Sequence, residues 1–119
     1  MNFLSGMPDF VFDYIEIAYN GESINTQIGY SIDIKTFLEY LQKFNFSYIE
    51  KIEDFTVADM EKVTLRDLNA FTAYLKEYET EPVSIDGKHI QRIRHNRAYG
   101  LNRKLSGILR LFSYLSQND

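Results

Sequence analysis

The chain has 119 residues, 45% of them apolar and 15% aromatic, a formal net charge of −4 and no cysteine. That length suits one domain, and the apolar share excludes a disordered chain. The missing cysteine excludes disulfide frameworks, thiolate metal sites and cysteine nucleophiles, and it suits the reducing cytoplasm, where we expect this protein. The stretch Met1 to Phe12 has no basic n-region and the apolar runs are short, so neither a signal peptide nor a membrane partner is expected.

In chain order, Pro8 suits the first turn of a helix, where its missing N–H costs nothing. Val11, Tyr14, Ile15 and Ala18 then recur at helical spacing until Asn20-Gly21 stops them. Ser23 to Thr26 caps a second helix whose stripe is Tyr30, Ile34, Phe37, Leu38, Leu41 and Phe44. Its other face carries Lys35, Glu39 and Lys43 together with Ile28 and Ile32. Asn45 ends it, and Ile49, Ile52 and Phe55 tuck a connector onto the core. Thr56-Val57-Ala58-Asp59 can start one short helical turn. Thr64-Leu65-Arg66-Asp67 is a stronger start, followed by Leu68, Phe71, Leu75 and Tyr78 as the stripe of a third long helix. Glu79 to about Asn96 reads as a loop, in which Asp86-Gly87 can close a small hairpin. The last helix spans roughly Ala98 to Gln117, with Leu101, Leu105, Ile108, Leu109, Phe112 and Leu115 facing the core. The fold class expected is all-α, a compact bundle of four main helices.

The charge is unevenly spread. Residues 1–87 hold 6 Lys/Arg against 16 Asp/Glu, whereas residues 88–119 hold 7 Lys/Arg against Asp119 alone. Such asymmetry points to a polyanion-binding surface; the plainer alternative is a basic helix pairing with acidic neighbours in the same fold. Opposite the core stripe of the last helix, Tyr99, Arg103, Ser106 and Arg110 line one face at spacings of four, three and four, flanked by Asn102 and Ser113. These side chains offer donors for phosphates and base edges. Gly107 beside them weakens the helix by about 1 kcal/mol against alanine, so a close contact or tight helix packing is expected there.

Three segments carry a resemblance. They are Ser23-x-x-Thr26-x-x-x-Tyr30-x-x-Asp33-Ile34-x-x-Phe37-x-x-Tyr40-Leu41, Val63-Thr64-Leu65-Arg66-Asp67-Leu68, and the run from Leu101 to Leu115. In this order and spacing, and with Met7-Pro8 leading into an aromatic-rich first helix, they resemble the SAM-like (core-binding) N-terminal domain of phage-integrase and Xer-type tyrosine recombinases. The resemblance covers about Pro8 to Leu115. It departs from the family where Arg97 or Gly100 replaces the small hydroxyl residue that commonly begins the last helix.

The resemblance implies a sequence-specific double-stranded-DNA-binding domain that sets its second and fourth helices against the major groove. On this sequence that points to Asn25, Thr26, Gln27, Ser31 and Lys35, and to Tyr99, Asn102, Arg103, Ser106 and Arg110. It also implies a separate C-terminal catalytic domain with a tyrosine nucleophile, and neighbouring protomers in a tetramer on DNA. Residues 1–119 are then the core-binding domain alone, without catalytic residues, metal or cofactor. His89-Ile90-Gln91-Arg92 matches the family's His-x-x-Arg box but precedes the last helix of this domain, so it reads as loop charge. His89 and His95 are six apart with no carboxylate over residues 88–118, which leaves no metal set, and no glycine-rich phosphate loop occurs. The competing reading is a stand-alone helical protein-interaction or regulatory domain. Ile28 and Ile32, one turn apart and away from the core stripe, are candidates for an interface with the catalytic domain or another protomer, or for packing under the connector or against thymine methyls.

Overall fold

The structure is a computed structural model. It describes residues 4–80, 84–85, 88–89 and 92–117, with side chains over 4–76 and 101–117. Five α-helices follow one another: α1 (Asp9–Ala18), α2 (Ile24–Phe44), the short α3 (Val57–Glu61), α4 (Leu65–Thr80) and α5 (Arg92–Gln117). A single 3₁₀ turn, Ile52–Asp54, lies between α2 and α3. Two-residue strands β1 (Ser84–Ile85) and β2 (Lys88–His89) pair antiparallel, as a hairpin around Asp86-Gly87 requires; those two residues themselves lie outside the described ones. The all-α bundle of four main helices is therefore as the apolar stripes foretold.

Local chemistry sets the helix ends. Pro8 sits immediately before α1, and Gly21, at φ +88°, supplies the left-handed turn after it. The Ser23 hydroxyl accepts the Thr26 N–H at 3.1 Å to cap α2. Reciprocal capping boxes open α3 (Thr56 with Asp59) and α4 (Thr64 with Asp67). Asn45, at the end of α2, donates to the Asp67 carboxylate at 2.9 Å and ties that end to the start of α4. In the connector, Gln42 donates to the carbonyls of Ile49 and Glu50, while Ile49 and Phe55 are buried.

α5 packs mainly on α2 and α4, and α1 closes over α2 and α5. The core joins Val11, Tyr14 and Ile15 of α1, Ile34, Phe37, Leu38 and Leu41 of α2, Phe71 and Leu75 of α4, and Ile108 and Leu111 of α5. Leu4 and Met7, upstream of the first helix, are buried as well.

Three expectations are corrected. The last helix begins at Arg92, not Ala98, so the expected loop ends before Arg92 and residues 92–97 belong to α5. That segment contains no glycine or proline, and arginine is a good helix former, so a run of charge was mistaken for a break. Second, the core face of α5 is turned: Leu111 is fully buried and Leu109 is 56% exposed. α5 meets helices on two sides, so its apolar face is broader than one stripe and centres nearer Leu111. Third, Phe44, at the last turn of α2, is 54% exposed and lies beside Tyr40 and Tyr74 at the rim of the core.

Candidate nucleic-acid interface

The two helices expected to face DNA touch one another. From α5, the Arg103 guanidinium reaches the Asp33 carboxylate of α2 through two bonds, Nε to Oδ2 and Nη2 to Oδ1, each 3.1 Å. This fork-on-fork geometry is the strong form of the pair. Asp33 is almost wholly buried (side chain 2% exposed), whereas Arg103 keeps 41% of its side chain in solvent. Burial raises the Asp33 carboxyl above its ordinary range; the hydrogen bonds and charge of Arg103, and the charge of Lys104, pull it down. One turn before Asp33, Gly29 lies beside the Arg103 Nη1, which is 4.0 Å from where a Cβ would stand.

Gly107 is the second contact between the helices. A Cβ on it would stand 2.8 Å from Cδ1 of Tyr30 in α2. The Gly107 carbonyl accepts the Tyr14 hydroxyl at 3.0 Å, and Tyr14 also shares a 2.8 Å bond with the Tyr19 hydroxyl. Tyr30 stacks on Tyr19 with ring centroids 4.4 Å apart. The close approach expected at Gly107 is thus to a ring of the neighbouring helix. Burial raises the phenols of Tyr14 and Tyr19, the reverse of the activation a tyrosine nucleophile needs.

Arg110, two turns beyond Arg103, closes the end of α1. Its Nη2 donates to the Ala18 carbonyl at 2.8 Å, and its guanidinium lies 4.6 Å from the centre of the Tyr19 ring. Ala18 is the last residue of α1, whose final carbonyls lack helical partners and carry partial negative charge, so an arginine fits there. Among the described residues no carboxylate lies in ion-pair distance of Arg110.

The other expected residues separate by face. Asn25, Lys35, Asn102 and Ser106 are exposed. Thr26 and Gln27 are half-buried; the Thr26 hydroxyl meets that of Ser23, and the Gln27 amide donates to the carbonyls of Tyr19 and Glu22. Ser31 is buried and donates to the Gln27 carbonyl at 2.7 Å. Tyr99 lies outside the residues whose side chains are described, as do those of His89 and Arg92. Asn25, Gly29, Ile32 and Asp33 fall on one side of α2 at helical spacing, the side that meets Arg103. Ile32 on that side is 56% exposed and Ile28 is half-buried, so the core of this domain does not use both. Sequence reasoning missed the role of Asp33. Its signal was present: an acidic residue on a helix otherwise assigned to a polyanion, opposite an arginine of the last motif.

No helix among the described residues is long and apolar enough to cross a membrane, and none of their acidic and histidine side chains cluster as metal ligands would. No protein-family model matches the chain, and no solved structure does. Among curated proteins, the chain is similar to tyrosine recombinases of the Xer type. It is 28% identical over 120 residues to Tyrosine recombinase XerS of Lactococcus lactis subsp. cremoris MG1363, and 27% identical over 115 residues to Tyrosine recombinase XerS of Streptococcus pyogenes serotype M2. Each match takes in 93% of this chain and 30% of the relative, so the chain spans about a third of the length of the proteins it matches. This is the family that the helix motifs resemble, and the coverage is consistent with the N-terminal domain of a Xer-type recombinase.

Proposed function

We propose that this chain is the N-terminal, sequence-specific DNA-binding domain of a site-specific tyrosine recombinase, working in the cytoplasm and contacting double-stranded DNA through α2 and α5. The observation that carries the reading is similarity to recombinases along nearly the whole chain while covering only a third of theirs. Strand cleavage and joining then belong to a separate catalytic domain, and neighbouring protomers complete a tetramer on the recombination site. The contact surface is the exposed part of the expected set: Asn25 and Lys35 on α2, and Asn102, Arg103, Ser106 and Arg110 on α5, with Tyr99 one turn before Arg103. Thr26 and Gln27 border it. Ser31 supports it from within through the Gln27 carbonyl.

The test is a titration of this chain with duplex DNA at several salt concentrations. Each neutralised phosphate contributes about 0.9 to the slope of log affinity against log salt. A slope of several units supports the reading, and no binding at low salt defeats it. The apolar row Ile24, Ile28 and Ile32 on α2, exposed at Ile24 and Ile32, favours a second reading, a protein-interaction domain, which then becomes the better one.

A further inference from the structure

We infer that Asp33 and Arg103 act as one unit: Asp33 is a positioning residue that presents Arg103 as a charge-balanced donor fork, and that fork reads a guanine edge. The inference rests on the DNA-binding reading above and adds to it a specificity determinant on α2.

The guanidinium of Arg103 has five N–H groups. Two, on Nε and Nη2, are taken by Asp33. Among the described residues no hydrogen bond takes the two on Nη1 or the second on Nη2. Nη1, on the side of the guanidinium away from Asp33, lies beside Gly29, which has no side chain to cover it. Asp33 is held in the helix interface, so the fork has a fixed plane and its ordering is largely completed before a ligand arrives. Two parallel N–H groups in a fixed plane match O6 and N7 of guanine in the major groove.

Charge separates this use from plain phosphate binding. With Asp33 beside it, Arg103 belongs to a pair of net charge zero, which displaces few counterions from DNA but keeps its donors. Arg110, whose partners are a carbonyl and an aromatic ring, keeps its full positive charge. One helix face therefore carries two arginines with different tasks, a reader and a phosphate anchor.

The test enriches a pool of duplexes with a randomised central segment on this chain. Affinity for the enriched duplex and for a random duplex is then measured across salt concentrations, with thermal melts to show that each variant is folded. Arg103→Met should lose preference for guanine at one position by about 5- to 150-fold. Arg103→Lys, which keeps the charge and loses the planar fork, should lose the same preference. Asp33→Asn frees the arginine charge. It should weaken the guanine preference while tightening low-salt binding to the random duplex and steepening the slope by about 0.9. A merely structural pair would instead weaken both duplexes alike in every variant, and that result overturns the inference. So does an Arg103→Met protein that binds more weakly yet retains the preferred sequence, which makes Arg103 an ordinary phosphate contact and leaves the DNA-binding reading standing. If wild type binds no duplex at low salt, the DNA-binding reading fails first and this one with it.

Discussion

Replacing Gly107 by alanine sets two effects of known size against each other. Alanine is the better helix former by about 1 kcal/mol, so at an open position of α5 the change would stabilise. Here the new methyl would stand 2.8 Å from Cδ1 and 3.2 Å from Cε1 of Tyr30. The ring has little room to retreat, because it stacks on Tyr19 at 4.4 Å and Tyr19 is itself covered by Arg110. Moving α5 away would stretch the 3.0 Å bond from Tyr14 to the Gly107 carbonyl. Overpacking of this kind costs about 1–3 kcal/mol. The difference is a net loss of about 1 kcal/mol, or about 4 °C in Tm for a domain of this size. Urea and thermal unfolding followed by circular dichroism would measure it. In a Tyr30→Ala background the clash is gone, and Gly107→Ala should then stabilise by about 1 kcal/mol. A Gly107→Ala protein more stable than wild type would refute the account of this contact.

Three further outcomes are expected. Arg103→Met should cost about 2–3 kcal/mol at pH 7, less than for a fully buried pair because Arg103 is partly exposed. The Asp33 carboxyl is already raised in the folded protein, and losing Arg103 raises it further, so the contribution of this group is favourable in acid and is lost as pH rises through the folded pKa. The deficit against wild type should therefore narrow at pH 4.5 in urea melts, and an equal deficit at both pH values would contradict the pair. Arg110→Ala should weaken binding by a similar factor on all duplexes and lower the salt slope by about one, as titrations on a specific and a random duplex would show; an unchanged slope would remove Arg110 from the phosphate contacts. Incubation with a nicked suicide substrate should trap no covalent protein–DNA adduct, and an adduct that disappears with a particular Tyr→Phe change would place catalysis in this chain.

The helices were legible because their signals are local. Ser23, Thr56 and Thr64 each cap the helix that follows, and Asn20-Gly21 and Asn45 stop the helices before them. The start of α5 was hidden, because Arg92 to Arg97 carries charge at nearly every other position and shows no apolar period. The burial of Leu111 and exposure of Leu109 depend on how α5 is rolled between two neighbours, which one helix cannot report. The candidate site was legible as a list of polar positions but not as an arrangement. Periodicity put Arg103 on a polar face and the resemblance pointed Ser31 at DNA; only the folded packing shows that Ser31 is buried and that Arg103 is held by Asp33 across 70 residues of chain. The two plainer alternatives raised by the sequence, pairing of the basic helix with an acidic neighbour and close packing at Gly107, both occur, at Asp33 and at Tyr30.

The claim that α2 and α5 together form the DNA surface is tested most directly by nuclear magnetic resonance mapping. The isotope-labelled chain would be titrated with an enriched duplex, following backbone amides, the side-chain amides of Asn25, Gln27 and Asn102, and the Nε–H of Arg103. The account predicts shifts concentrated on the exposed face of α2 from Asn25 to Lys35 and on α5 from Tyr99 to Arg110, with the Arg103 signal moving while α3 and the 3₁₀ turn stay still. Shifts centred on α3 or α4, with Asn102, Arg103 and Arg110 unmoved at saturating DNA, would contradict it.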